Sequence, residues 1–297
     1  MLLRPLICAA TLMLAACGEA PAQTAFAPPK DGAVAGTATS ILNAGVMAQI
    51  GPQSDQVGSD GLAKFLFDPL YDDHFGSLEQ LPPDLIEALV TGAPPYDGVD
   101  AVFVSHAHGD HFSASKLTRM LAEQPELRLF APQLAIDRMA EDAAWDDSFA
   151  ERTVGISLEN GQAWEGATVE GFSVDAFRSP HNGWPDRHFS THNITFRVSA
   201  PAGEGVVGRV MHLGDADPAS EHYVALSEFL SAKRSSLAMV PFWFYQSPQL
   251  GELVDQTLNA QMPVAMHVPV RVPAYLCAGE LPYFSEVGEV VEIPVSQ

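Results

Sequence analysis

The chain has 297 residues, a length that suits one large domain or two modest ones. Hydrophobic residues make up 47% and charged residues 18%, which supplies a sizeable core and excludes wholesale disorder. With 15 Lys+Arg against 37 Asp+Glu the formal charge is −22, so electrostatic grips on nucleic acid and on anionic lipid are both excluded.

Met1 to Ala16 carries one cation, Arg4, and then an apolar run through Leu6, Ile7, Leu12, Met13 and Leu14. This is a secretory pattern, too short to span a bilayer as a stable helix. It ends in Leu14-Ala15-Ala16-Cys17, which resembles a bacterial lipobox. The resemblance implies that residues 1–16 are removed as a lipoprotein signal peptide and that Cys17 is lipidated. Gly18, where Asp would signal inner-membrane retention, implies an outer-membrane anchor facing the periplasm. Cys277 is then the only other cysteine left, so no disulfide is expected. Residues 17–37, rich in Ala, Pro and Gly, read as a tether to a globular body over 38–297.

Within that body the apolar pattern predicts a strand over Ile41–Ile50 and another over Lys64–Phe67, stopping at Asp68-Pro69. A helix is expected over Asp84–Val90. Ala101–Val104 is an uninterrupted apolar run, as in a strand buried on both faces. Ser113 should cap a helix carrying Leu117, Met120 and Leu121. A strand at Leu127–Phe130 and a helix at Gln133–Met139 follow. Phe172, Val174 and Ala176 alternate with Ser173 and Asp175, predicting a half-exposed strand. Further strands are expected at 193–198, 207–213, 236–241 and 263–268, with helices near 219–231 and 249–259. Several strands follow one another without a helix, so mixed sheets with helices outside them fit better than one parallel sheet.

The chemistry is concentrated in a few short segments. Ser105-His106-Ala107-His108-Gly109-Asp110-His111 places three imidazoles and a carboxylate between a buried strand and a helix. Such a turn gathers those groups at the end of the strand, and nitrogen with oxygen donors suits Zn²⁺ or a similar ion. The segment matches the His-x-His-x-Asp-His signature and resembles the metallo-β-lactamase-fold hydrolases over residues 40–270. That resemblance implies an α/β, four-layer αββα sandwich with two mixed β-sheets. It also implies two divalent ions, zinc first with manganese or iron as alternatives. His106 and His108 would hold the first ion with a third histidine, and Asp110 and His111 the second. The third histidine is expected at His181, after Ser179-Pro180, with His188 and His192 as competitors. Asp215, in His212-Leu213-Gly214-Asp215, matches the turn whose carboxylate bridges both ions, and His267 matches the final ligand. His212 reads as structural, His74 as a solvent-exposed loop residue, and Asp68 as a carboxylate orienting a ligand histidine.

Two ions close together imply a shared water that loses its proton near neutral pH and attacks as hydroxide. Asp110 would be the catalytic residue, orienting the nucleophile and carrying a proton. No other cofactor is implied, and no Gly-x-Ser-x-Gly or P-loop pattern supports serine or nucleotide chemistry. Phe67-Asp68-Pro69, the Pro-His pair and the Met266-His267 pair resemble the branch of L-ascorbate-6-phosphate lactonase and N-acylphosphatidylethanolamine phospholipase D. Three readings follow: hydrolysis of an ester, lactone or amide; a phosphodiesterase or phospholipase D-like hydrolase; or a non-catalytic metal-binding envelope lipoprotein. Asn182–Pro185 and Phe242–Tyr245 are candidate aromatic pocket walls, which favours a small-molecule or lipid-like acyl substrate.

Overall fold

The computed structural model describes residues 33–52, 61–169 and 171–296. The signal segment, Cys17 and most of the tether lie outside them. Among the described residues no helix is long and apolar enough to cross a membrane.

Among the described residues thirteen strands form two sheets. The first runs β13 (Val290–Pro294), β1 (Val34–Leu42), β2 (Gly45–Ile50), β3 (Ala63–Phe67), β4 (Ala101–Phe103), β5 (Arg128–Pro132), β6 (Thr153–Ile156). It is antiparallel from β13 to β3 and parallel from β3 to β6. The second runs β12 (Ala260–Met266), β11 (Ser235–Pro241), β10 (Val206–His212), β9 (Ile194–Gly203), β8 (Phe172–Arg178), β7 (Ala163–Val169). Here β10 to β12 are parallel and β7 to β10 antiparallel. The sheets face one another across a shared apolar core that includes Val46, Phe65, Phe103, Val174, Phe196, Val210 and Met266. Phe67, Phe103 and Phe130 stack across three strands, with successive ring centroids 5.0 and 5.2 Å apart. Burying each such ring contributes roughly 1.5–3 kcal/mol.

Helices α1 (Pro83–Thr91), α2 (Ala114–Glu123) and α3 (Gln133–Ala140) cover the outer face of the first sheet. The predicted cap is present, with Ser113 Oγ accepting from the Lys116 N–H. The second sheet is covered by a 3-10 turn at Ser220–Leu226, α4 (Ser227–Ser231) and α5 (Leu250–Glu252), the last widening into a π turn at Leu253–Thr257. α6 (Ala274–Cys277) lies beyond β12. This is the expected four-layer sandwich.

Several local expectations need correction. Ile41–Ile50 is a hairpin and not one strand, because the chain reverses at Asn43, whose φ of 53° suits asparagine. β1 begins at Val34, so the last residues of the supposed tether belong to the sheet, paired with β2 and β13. β6, β7 and β13 were not expected; each is short or interrupted by glycine and polar residues. The helix expected near 219–231 opens as a 3-10 turn. β8 is buried on both faces, since Asp175 lies under the helical layer, paired with buried Arg197 and half-buried Lys233.

Candidate metal centre

Every strand that carries a candidate ligand ends at the same edge of the sandwich. After β4 the chain turns through Ser105 to His111, held by the His111 N–H donating to His108 O at 3.1 Å. After β8 comes His181, after β10 Asp215, and after β12 His267. His181 pairs with Ala216 in an isolated bridge, fixing two of these turns together. Gly214 has φ of 55°, and a β-carbon there would meet Asn193 Oδ1 at 2.4 Å and Ser105 Cβ at 2.6 Å. The Gly-Asp turn therefore requires glycine.

Two groups of donors result, all buried except half-buried His108: His106, His108 and His181; and Asp110, His111, Asp215 and His267. Within each group the ligand atoms lie within 4.8 Å of one another. The seven residues expected from the sequence are thus brought together, and His188 and His192 belong to neither group. The His188 ring sits 4.3 Å from that of His181 and 5.2 Å from that of His108, on an exposed loop at the mouth. His74 is half-buried, contrary to expectation, and its Nδ1 accepts from Gly76.

Four of the five imidazoles are oriented from behind, whereas His267 Nδ1 is buried without a partner. His106 Nδ1 meets Ser105 Oγ at 3.0 Å, His108 Nε2 meets Thr191 Oγ1 at 3.2 Å, and His181 Nδ1 donates to Asn182 O at 3.0 Å. This leaves His106 Nε2 and His108 Nδ1 facing one another at 3.1 Å. His111 Nδ1 donates to Asp68 Oδ2 at 2.7 Å, and Asp68 also accepts from the Ser105 N–H at 2.7 Å and its hydroxyl at 2.5 Å. Asp68 is therefore the orienting carboxylate that the sequence suggested. His212 donates from Nε2 to Ala44 O at 2.9 Å and stacks on Phe67, a structural role.

Asp215 stands between the groups. Its Oδ2 is 3.3 Å from His181 Nε2, and its Oδ1 is 3.1 Å from His111 Nε2 and 3.5 Å from His267 Nε2. Asp110 Oδ2 lies 3.2 Å from His267 Nε2. Yet His111 Nε2, His181 Nε2, Asp215 Oδ1 and Asp110 Oδ1 are buried without a hydrogen bond. Buried polar atoms are rarely left so. Donors in van der Waals proximity that do not hydrogen-bond are what a common cation needs. A tetrahedral zinc with bonds of about 2.0–2.1 Å separates its ligand atoms by roughly 3.3 Å.

The electrostatics of the first group agree with that fit. Burial and the His111 imidazole hold His106 well below the ordinary histidine value, and burial with His181 pushes His108 down to about 4. Both are thus neutral donors. Burial alone would raise Asp215, but His267 and His111 hold it well below the usual carboxylate range. Burial works to lower His111, but the Asp215 and Asp68 carboxylates raise it well above the ordinary value. Among the described residues no Lys or Arg pairs with Asp68, Asp110 or Asp215, so these buried carboxylates have no other permanent cation.

Sequence reasoning missed the residues that tie the turns together. Asn193 donates to Ser179 Oγ and Leu213 O and accepts from the Asp215 N–H. Asn43 bridges the Asp110 and His267 turns. Neither lies in a recognisable motif; their only signal is a polar residue at the edge of an apolar run. Of the two suggested aromatic walls, Phe244 and Tyr245 are core residues. Trp243 does reach the site, its ring 5.5 Å from that of His267 and its Nε1 donating to Ala216 O.

Residues 63–272 match the beta-lactamase superfamily domain, and the chain belongs to that family. Among solved structures it is similar to a novel metallo hydrolase from Ignicoccus hospitalis, with TM-score 0.52 and 14% identity over 86% of this chain and 97% of that one. It is likewise similar to an isothiocyanate hydrolase from Delia radicum gut bacteria, with TM-score 0.53 and 13% identity over 86% and 98%. A search of curated proteins finds no match. Family and fold make the protein a metal-dependent hydrolase of the metallo-β-lactamase fold, with His/Asp groups able to hold metal ions.

Proposed function

We propose that the protein is a dinuclear hydrolase of an ester, lactone or amide with an apolar acyl portion. The observation that carries the two-ion reading is Asp215, whose two carboxylate oxygens face different donor groups. His106, His108 and His181 with Asp215 Oδ2 would hold one ion, and Asp110, His111, His267 with Asp215 Oδ1 the other. When bound, such ions activate a water and polarise the scissile bond. The chain's own contribution is orientation. Asp68 fixes the His111 ring, Ser105 that of His106, and Thr191 that of His108. Asp110 presents Oδ2 toward His267 and keeps Oδ1 without a partner, so Oδ1 is available to take the proton of the attacking water and pass it to the leaving group.

The substrate reading rests on what surrounds the donors. The loop at 72–77 sits on the ligand turn, with the Asp72 and Asp73 N–H groups donating to Gly109 O. It carries exposed Phe75. The loop after His181 carries exposed Trp184 and Phe189, and the segment after His267 carries exposed Val270, whose N–H donates to Ser77 O. A cavity of about 630 Å³ beside Asn182 and Trp243 has Glu221 and no Lys or Arg in its lining. The apolar side chains exposed on the ligand-bearing loops favour an acyl group. Elemental analysis of the full chain, then a panel of lactone, ester, amide and phosphodiester substrates with and without chelator, tests this. Chelator-sensitive turnover of phosphodiesters alone would refute the substrate class. On the sequence reading of Cys17 we further place the enzyme at the outer membrane facing the periplasm, anchored by lipid.

A further inference from the structure

The β1–β2 hairpin contributes no metal donor, yet its two-residue tip touches three of the ligand-bearing turns. Asn43 Nδ2 donates to Asp110 O at 2.6 Å. The Asn43 carbonyl accepts from the His267 N–H at 2.9 Å. The next carbonyl, of Ala44, accepts from His212 Nε2, and His212 Nδ1 in turn accepts from the N–H of Gly214, beside Asp215. Every one of these contacts reaches the second donor group. The first group is supported elsewhere, by Ser105, Thr191 and Asn182.

We propose that Asn43 is a positioning residue for the second metal: it locks the Asp110 turn of one sheet to the His267 turn of the other and so sets the affinity of that ion. The inference rests on the reading that Asp110, Asp215 and His267 hold an ion. Two features show why the residue is asparagine. The backbone at Asn43 is left-handed, with φ of 53°, which asparagine and glycine tolerate and most side chains do not. Glycine would satisfy the turn equally well, so the carboxamide has a further use. Its Oδ1 is buried without a partner, a desolvation penalty that a purely structural turn would avoid by using glycine. The amide is retained for its Nδ2 contact with Asp110 O. His267 itself has φ of 61°, a conformation that β12 does not impose and that the hydrogen bond to Asn43 O holds in place.

The test uses the full chain loaded with Zn²⁺ and dialysed against graded chelator, with metal content read by elemental analysis. Asn43→Gly keeps the turn and its carbonyl but removes the Nδ2 donor. Asn43→Asp keeps the shape but sets an oxygen against Asp110 O. Both variants should release one of two ions at about 10- to 100-fold less chelator than wild type, Asn43→Asp the more easily. The other ion and the thermal midpoint of the metal-free chain should be unchanged in Asn43→Gly. Wild-type retention of both ions by Asn43→Gly would overturn the proposal. So would parallel loss of both ions with a lower midpoint, or failure of Asn43→Gly to fold. If wild type itself binds a single ion, the two-ion reading fails, and the Asn43 assignment stands only if Asn43→Gly loosens that ion.

Discussion

Asp175 and Asp215 are both buried carboxylates of the second sheet, yet their surroundings differ in kind. Asp175, on the outer face of β8, accepts from Arg197 Nε at 3.3 Å and from Lys233 Nζ at 2.8 Å. Arg197 stands opposite it on β9, spends its other N–H groups on Lys233 O and Phe229 O, and lies over the Phe229 ring at 4.3 Å. Asp215, beyond β10, has no Lys or Arg, only imidazoles in ligand-like array and an oxygen without a hydrogen bond. A buried charge whose partners complete its hydrogen bonds belongs to the fold. One whose partners converge without bonding to each other is arranged for a cation from outside the chain. The comparison teaches that burial alone does not mark a site; incomplete satisfaction does.

The sharpest way to break the comparison is Asp215→Asn. Removing one negative charge shared by both donor groups should lower kcat/KM by about 10³-fold, about 4 kcal/mol in the barrier, with loss of metal. Near-normal turnover at full metal content would make Asp215 a turn residue. Arg197→Ala is the mirror experiment. It leaves Asp175 half-paired and should cost roughly 3–5 kcal/mol of stability in chemical denaturation, with bound metal per folded chain unchanged. Metal loss without destabilisation would erase the distinction between the two clusters.

Smaller effects sharpen the boundary of the site. Asp68→Asn keeps the shape but weakens the acceptor of His111, and metal affinity in chelator competition should fall about 10- to 100-fold. Finally, His181→Ala should remove one ion by elemental analysis while His188→Ala and His192→Ala retain both. The reverse pattern would mean that the third histidine is misassigned.

Much of this was legible in the sequence because short apolar strands ending in His or Asp are local signals. Ala101–Val104 followed by His106 to His111 announces both a buried strand and its cargo of donors. The hairpin at Asn43 was not legible, since Ile41 to Ile50 is apolar on both sides of a turn that lacks an Asn-Gly pair. The Asp175–Arg197–Lys233 cluster was equally hidden. Alternation of Ser173 and Asp175 with apolar residues says that one face is polar, and only the tertiary fold shows that a helix covers it. Asn193 and Asn43 act through contacts at least 14 residues away in sequence, beyond any local pattern.

The central claim is that the unsatisfied cluster holds two ions. Elemental analysis of the full chain, purified gently with added zinc or manganese, measures it directly. The proposed two-ion site predicts close to two divalent ions per chain, falling to about one in His181→Ala. One ion or none in the wild-type protein would contradict the account.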